Sequence, residues 1–408
     1  MTKPTMNRPA LAAIGASAFF YVTAETLPVG LLPQIADGLS VSEADVGLLL
    51  TSYALVAAVS TIPLTALTMR MPRHTVIAIT VAIFVVSQAA AAVAPTFLVL
   101  TLSRLICALA HGVFWSVNGP VVARLAPPGQ AGRATALVFV GNSLAIVLGV
   151  PLGTALGQWL GWRVAIGAMA VGGAVCVLLL TRVLPRLQPL PHDLNVRPGA
   201  QLRAAVAIVR DRQVAMLCLI TAVVVVGQFA AYTYIAPLVR RDAGLEGVAL
   251  SALLLGYGAV GLIANFLLGR HSDRRPGQIV AGLLIVLAVS AGALAPVLGV
   301  VPTVLAALLW GGAFTTLPVF LASAALRVAP RSRDAASAVY VVAFQIGIGA
   351  GAFLGERLVR AGHLGVLPLL TAGLAVVAML LVVTAGRRVF PARLSEEDHH
   401  RIEAQLAA

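Results

Sequence analysis

The chain of 408 residues is 60% hydrophobic and only 11% charged, with a mean hydropathy of +0.97, a balance that a soluble globule of this size does not keep in water. Its net charge of +13 would suit nucleic acid in a soluble protein, but no basic stripe with interleaved aromatics occurs, so nucleic acid is not expected as a partner. Lys3 is the only lysine, which excludes a lysine-bearing phosphate loop and a Schiff-base lysine; with no room for an extramembrane catalytic lobe, neither enzymatic activity nor a cofactor is expected.

In chain order, apolar windows predict spans near 10–36, 44–69, 75–94, 96–123, 133–157 and 162–184. The first is long enough to cross a bilayer and lacks the cleavage pattern of a signal peptide. Residues 185–212, rich in Pro and Arg and without apolar period, predict a cytoplasmic linker. A second set follows near 213–239, 247–269, 277–297, 300–326, 335–356 and 364–386. The expected fold is an all-α membrane protein of twelve transmembrane helices in two pseudo-symmetric six-helix bundles, 1–184 and 213–390. Its tail, 391–408, has a short surface helix starting near Ser395 and Asp398 and solvated His399 and His400. Cys107, Cys176 and Cys218 lie apart inside apolar runs and read as packing groups, with no metal set.

Basic residues fix the orientation. Of 28, 22 fall at the N-terminus, the linker, the tail and alternate loops, so both termini are expected in the cytoplasm, which requires an even number of spans. The halves also read as copies. Ala145, Gly149 and Gly153 in the fifth span recur as Gly347, Gly351 and Gly355 in the eleventh, 202 residues later. Pro33 recurs as Pro237 after 204 residues. Small residues at every fourth position let helices approach closely in lipid, and Pro151 adds a kink.

By position, Glu25, Arg104 and His111 are the ionisable groups well within the hydrocarbon, where each is costly and so a functional candidate. Glu25 and Arg104 fall at similar depth, about 12–14 Å from the outer end. Arg104 is read either as a partner of the Glu25 carboxyl or as a clamp on backbone carbonyls. His111 is read either as a titrating group or as a cross-helix hydrogen-bonding one. Arg104, Ala108, His111, Trp115 and Asn118 share one face of the fourth helix, and Ser17, Tyr21 and Glu25 one face of the first. Asn142 on the fifth span, Gln228 and Tyr232 on the seventh, and Trp310 and Phe314 on the tenth add polar and aromatic surface without charge. An apolar pocket with a few polar groups suits a small, largely uncharged substrate.

The run Gly269-Arg270-His271-Ser272-Asp273-Arg274-Arg275 after the eighth span resembles the conserved loop of the major facilitator superfamily. In the first half Met69 stands where Asp273 maps, with Arg70 and Arg73 retained. Arg104 with Ala110-His111-Gly112 resembles the family's membrane-embedded arginine motif. Gly149-Val150-Pro151-Leu152-Gly153 resembles its antiporter glycine-proline motif. With Glu25 to Pro33, the whole is similar to the drug:proton antiporter branch, including sugar-efflux and chloramphenicol-efflux transporters. The resemblance implies a monomer in the bacterial inner membrane that exports a small molecule in exchange for protons, rocking its halves about a site near mid-membrane. Gly269, Asp273 and Arg274 would latch one conformer, Glu25, Arg104 and His111 would couple protons, and Gly149, Pro151 and Gly153 would serve packing and gating. A proton-linked importer or facilitator, and a non-transporting sensor or scaffold, are the alternatives.

Overall fold

The computed structural model of the chain describes residues 6–68, 70–127, 131–188, 203, 207–269, 275–329 and 333–391. Among them there is no β-strand. Eleven helices are long and apolar enough to cross a membrane, and a twelfth apolar helix, Pro276–Gly292, has 17 residues, at the lower end of spanning lengths. Most of the linker, Met69, Asp273, Arg274 and the tail beyond Pro391 lie outside the described residues.

Three expected spans are interrupted, each beside a proline. The first is two helices, α1 (Arg8–Gly30) and α2 (Leu32–Leu39). Pro33 has no N–H to return to Val29, so a new helix starts rather than the old one continuing. The seventh divides in the same way into α9 (Arg212–Tyr232) and α10 (Ile235–Ala243) ahead of Pro237. The fifth runs as α6 (Ala131–Leu144), a π turn (Ala145–Gly149) and α7 (Val150–Leu160). There the Val150 N–H bonds to the Ala145 carbonyl five residues back, and Pro151 supplies no donor of its own. The expected kink is therefore a one-turn widening.

The remaining helices are α3 (Glu43–Thr68), α4 (Arg73–Ala92), α5 (Phe97–Arg124), α8 (Trp162–Val183), α11 (Gly247–Gly269), α12 (Pro276–Gly292), α13 (Val300–Val328), α14 (Arg333–Arg360) and α15 (Leu367–Val383). The expected ninth span reached residue 297, but α12 ends at Gly292, ahead of Pro296. Helix starts carry side-chain caps where the chain enters from polar sequence. Asn7 Oδ1 accepts from the Ala10 N–H, and Asp211 Oδ1 accepts from those of Gln213 and Val214. Inside the helices, many hydroxyls turn back onto carbonyls of the preceding turn, as Ser17 does to Ala13 and Thr316 to Gly312, which pairs those donors within the helix.

The chain forms two compact units, Met1–Val41 with Ser52–Leu202, and Ser42–Thr51 with Arg203–Ala408. This differs from a division at the linker alone, because the first turns of α3 group with the second unit. In the first unit α1 packs on α6, the π turn, α7 and α8, while α4 packs on α5 and α8. In the second, α9 packs on α14 and α15, α12 on α13 and α15, and α11 on α13. The glycine ridges explain the shared pattern. A Cβ at Gly141 would meet the Gly15 backbone, and Cβ atoms at Gly149, Gly153 and Gly157 would meet Thr23, Leu27 and Leu31, all on α1 or just beyond it. Cβ atoms at Gly347 and Gly351 would strike α9 at Val225 and the Val226 carbonyl. Large apolar side chains such as Leu55, Val59, Leu152, Ile263, Val289 and Leu305 stay exposed, which in a bilayer is the lipid-facing surface. The first linker residues are pinned to helix ends: Arg73 N–H donates to the Leu187 carbonyl and Arg124 to that of Gln188.

Candidate functional site

The first unit brings Glu25, Arg104 and His111 together between α1, α3 and α5. Pro28 inside α1 deprives the Ala24 carbonyl of its intrahelical donor. Arg104 on α5 fills that place: Nη1 donates to the Ala24 carbonyl and Nη2 to the Glu25 carbonyl, both at 3.0 Å. Of the two sequence readings, this contact is the backbone clamp. The guanidinium carbon also lies 5.1 Å from the Tyr53 ring centroid, a cation–π distance.

His111, two turns further along α5, stands between a phenol and a carboxylate. Its Nδ1 is 3.0 Å from the Tyr53 hydroxyl, and its Nε2 is 3.9 Å from Glu25 Oε2. When Tyr53 donates to Nδ1, the ring proton sits on Nε2, facing the carboxylate. The 3.9 Å gap exceeds a hydrogen bond, so direct contact of the two groups requires a small carboxylate movement or one bridging water. The Glu25 side chain is 14% exposed and that of His111 5%, so both are largely withdrawn from the surface.

Around this trio Tyr21 donates to the Thr80 carbonyl at 2.6 Å and stacks on Phe114 with ring centroids 4.6 Å apart. Trp115 is half-buried beside His111, their centroids 6.1 Å apart. Asn118 is buried, and its Oδ1 has no hydrogen-bond partner. Asn142 lies half-buried on α6. Sequence reasoning missed Tyr53 and Gln88. Cys107, read as a packing group, has its sulfur 3.7 Å from the Tyr53 hydroxyl and 3.6 Å from Gln88 Nε2. Neutral polar residues within apolar helices carry no charge signal.

In the second unit three of the four expected residues, Gln228, Tyr232 and Trp310, come together around Tyr257. Trp310 Nε1 donates to Gln228 Oε1 at 2.6 Å, and Gln228 Nε2 donates to the Tyr257 hydroxyl at 2.9 Å. Tyr232 lies with its ring centroid 5.3 Å from Tyr257 and 6.2 Å from Trp310. Phe314 reaches this group through Phe229, 6.1 Å from both Phe314 and Tyr232. These two hydrogen bonds fix which end of the Gln228 amide faces which ring.

A further acid corrects the sequence inventory: Glu356, four residues from the end of α14, is buried. Arg360 Nε donates to Glu356 Oε1 and its Nη2 to Asp45 Oδ1, each at 2.5 Å. Arg240 Nη2 reaches Glu43 Oε1 at 2.7 Å, and the Tyr234 hydroxyl donates to the Ala44 carbonyl at 3.4 Å. Asp242, likewise buried, is held by Arg241. Among the motif residues of the expected latch, Gly269 is the last residue of α11, and Asp273 and Arg274 lie outside the described residues.

Comparison with known proteins agrees with this architecture over nearly the whole chain. A chloramphenicol efflux pump of Mycobacterium tuberculosis strain CDC 1551 is 39% identical over 399 residues, covering 95% of each chain. Among solved structures, the human organic anion transporter MFSD10 superposes with a TM-score of 0.70 at 17% identity, over 92% of this chain and 99% of that one. A D-xylose-proton symporter superposes with a TM-score of 0.69 at 18% identity, over 95% and 98%. The family model described as Major Facilitator Superfamily matches residues 14–352, and the chain therefore belongs to that superfamily of membrane transporters.

Proposed function

We propose that this transporter exports a small, largely uncharged or amphipathic molecule in exchange for protons, with Glu25 as the coupling carboxylate. The observation that carries the reading is the Glu25, His111 and Tyr53 series inside the spans of the first unit, with Nε2 3.9 Å from the carboxylate. A carboxylate that holds a proton in one conformer and yields it when substrate enters gives the exchange its stoichiometric link. His111 is the group through which that proton arrives, and Arg104 holds α1 in place rather than titrating.

The efflux-pump relative supports export over import and an amphenicol-like substrate: aromatic, neutral and bearing hydroxyls. The side chains suit that chemistry. Tyr21, Trp115, Tyr232, Trp310 and Phe314 offer aromatic faces, and Asn118 Oδ1 is a buried acceptor without a donor, the place for a substrate hydroxyl. Asn142 and the Gln228 amide supply further polar contacts. The setting is the bacterial inner membrane with both termini cytoplasmic, in accord with the arginine distribution.

The test is chloramphenicol accumulation in inverted vesicles under an imposed pH gradient. Glu25→Gln keeps shape and hydrogen-bonding reach but has no titratable proton, so gradient-driven accumulation should fall to background while chloramphenicol binding persists. Accumulation unchanged in this variant would place the coupling proton elsewhere and remove the proposal.

A further inference from the structure

At one end of the second unit lies a cavity of about 510 Å³, lined by Arg212, Met216 and Leu219 of α9 and by Thr384, Arg387 and Arg388 beyond the end of α15. We infer that it is a binding site for the phosphate headgroup of an anionic phospholipid. The inference is independent of the coupling chemistry.

Three observations converge on it. The first is uncompensated charge. Among the described residues no carboxylate lies within ion-pair distance of Arg212, Arg387 or Arg388, and the neighbouring Asp211 is engaged in capping α9. Thr384 Oγ1 and Arg387 Nε turn back onto the Leu380 and Val383 carbonyls. Those bonds anchor the turn and leave the forked nitrogens of Arg387 for a ligand, a geometry that matches phosphate oxygens.

The second is position. Arg212 opens one candidate span and Val383 closes another, so the arginines sit at the level where spans meet headgroups. The third is the wall. Arg212, Ala215, Met216 and Leu219 follow helical spacing down one face of α9, and Leu219 is 47% exposed. The cavity thus continues into a lipid-facing apolar stripe that an acyl chain can follow. A free phosphate has no use for that stripe, whereas basic pockets at span ends recognise acidic headgroups by this combination.

The full chain, purified in detergent and analysed by native mass spectrometry, gives the test. Dioleoylphosphatidylglycerol should be retained as a discrete adduct, and dioleoylphosphatidylethanolamine should not. Arg387→Gln with Arg388→Gln should weaken retention about 10- to 30-fold, with cooperative lipid-free unfolding retained. Arg387→Lys with Arg388→Lys, which keeps the charge, should retain most of the adduct. Equal retention by the glutamine pair would overturn the site, as would loss of the adduct to an equal concentration of inorganic phosphate. A third overturning result is an adduct that forms only after Glu396→Gln, Glu397→Gln and Asp398→Asn, because the acidic tail would then be the occupant.

Discussion

Pro28 has no amide hydrogen, and the Ala24 carbonyl it orphans is taken up by a guanidinium from another helix. Arg104→Gln removes that donor and leaves buried carbonyls unpaired, at about 1–3 kcal/mol for each group. Pro28→Ala returns an N–H to the Ala24 carbonyl. The Arg104→Gln loss should therefore shrink in a Pro28→Ala background, by about 1 kcal/mol or more in a double-mutant cycle read by thermal unfolding in detergent. Strict additivity of the two changes would show that the clamp and the proline are unrelated. Glu25, Arg104 and His111 were legible in the sequence because a charge inside a span stands out against lipid. Tyr53 was not, since a tyrosine among apolar residues looks the same whether it packs or hydrogen-bonds. Glu356 was missed because its span was read as ending there, whereas α14 continues to Arg360.

Helices of this chain are positioned by small residues and interrupted by prolines, and the two signals differ in how far they can be read. Small residues at every fourth position marked the surfaces on which α6, α7 and α14 meet α1 and α9, but not where the approach is tightest. That place is set by backbone rather than by spacing. A Cβ at Gly141 or Gly351 would run into the carbonyls of Gly15 or Val226, while one at Gly153 would meet only a Leu27 methyl group. Gly141→Ala and Gly351→Ala should each force two helices apart and cost about 1–3 kcal/mol. Gly153→Ala should be nearly neutral, because Leu27 can change rotamer. Unfolding temperatures of the three variants in one detergent decide this, and a Gly153→Ala loss as large as the other two would contradict it. Pro33 and Pro237 were seen as a repeated pair, yet the continuous apolar windows around them hid the breaks, since hydropathy does not report a missing N–H.

At the scale of the molecule, the all-α membrane-spanning architecture was legible because lipid imposes it on composition. Reporter fusions after residue 200 and after residue 408 should both read cytoplasmic, and an outside signal at either would refute the orientation. The membership of α3 was not legible. Its first turns group with the second unit and its remainder, from Ser52, with the first, and those first turns carry ion pairs to residues 197 and 315 positions away.

The proposed exchange by alternating access makes the pairs Glu43 to Arg240 and Asp45 to Arg360, which join the first turns of α3 to α10 and α14, candidates to break and re-form in the transport cycle. The Glu43 to Arg240 pair is well exposed, and exposed pairs are weak, which makes it a reversible tether rather than a lock. Glu43→Arg alone sets two cations together and should shift the balance between conformers, changing vesicle flux by up to about five-fold. Arg240→Glu alone should do the same by pairing two carboxylates. Glu43→Arg combined with Arg240→Glu restores an ion pair of reversed polarity in the same place, and its flux should return toward that of the parent chain. A double variant no better than either single one would mean that the pair forms without bearing on transport.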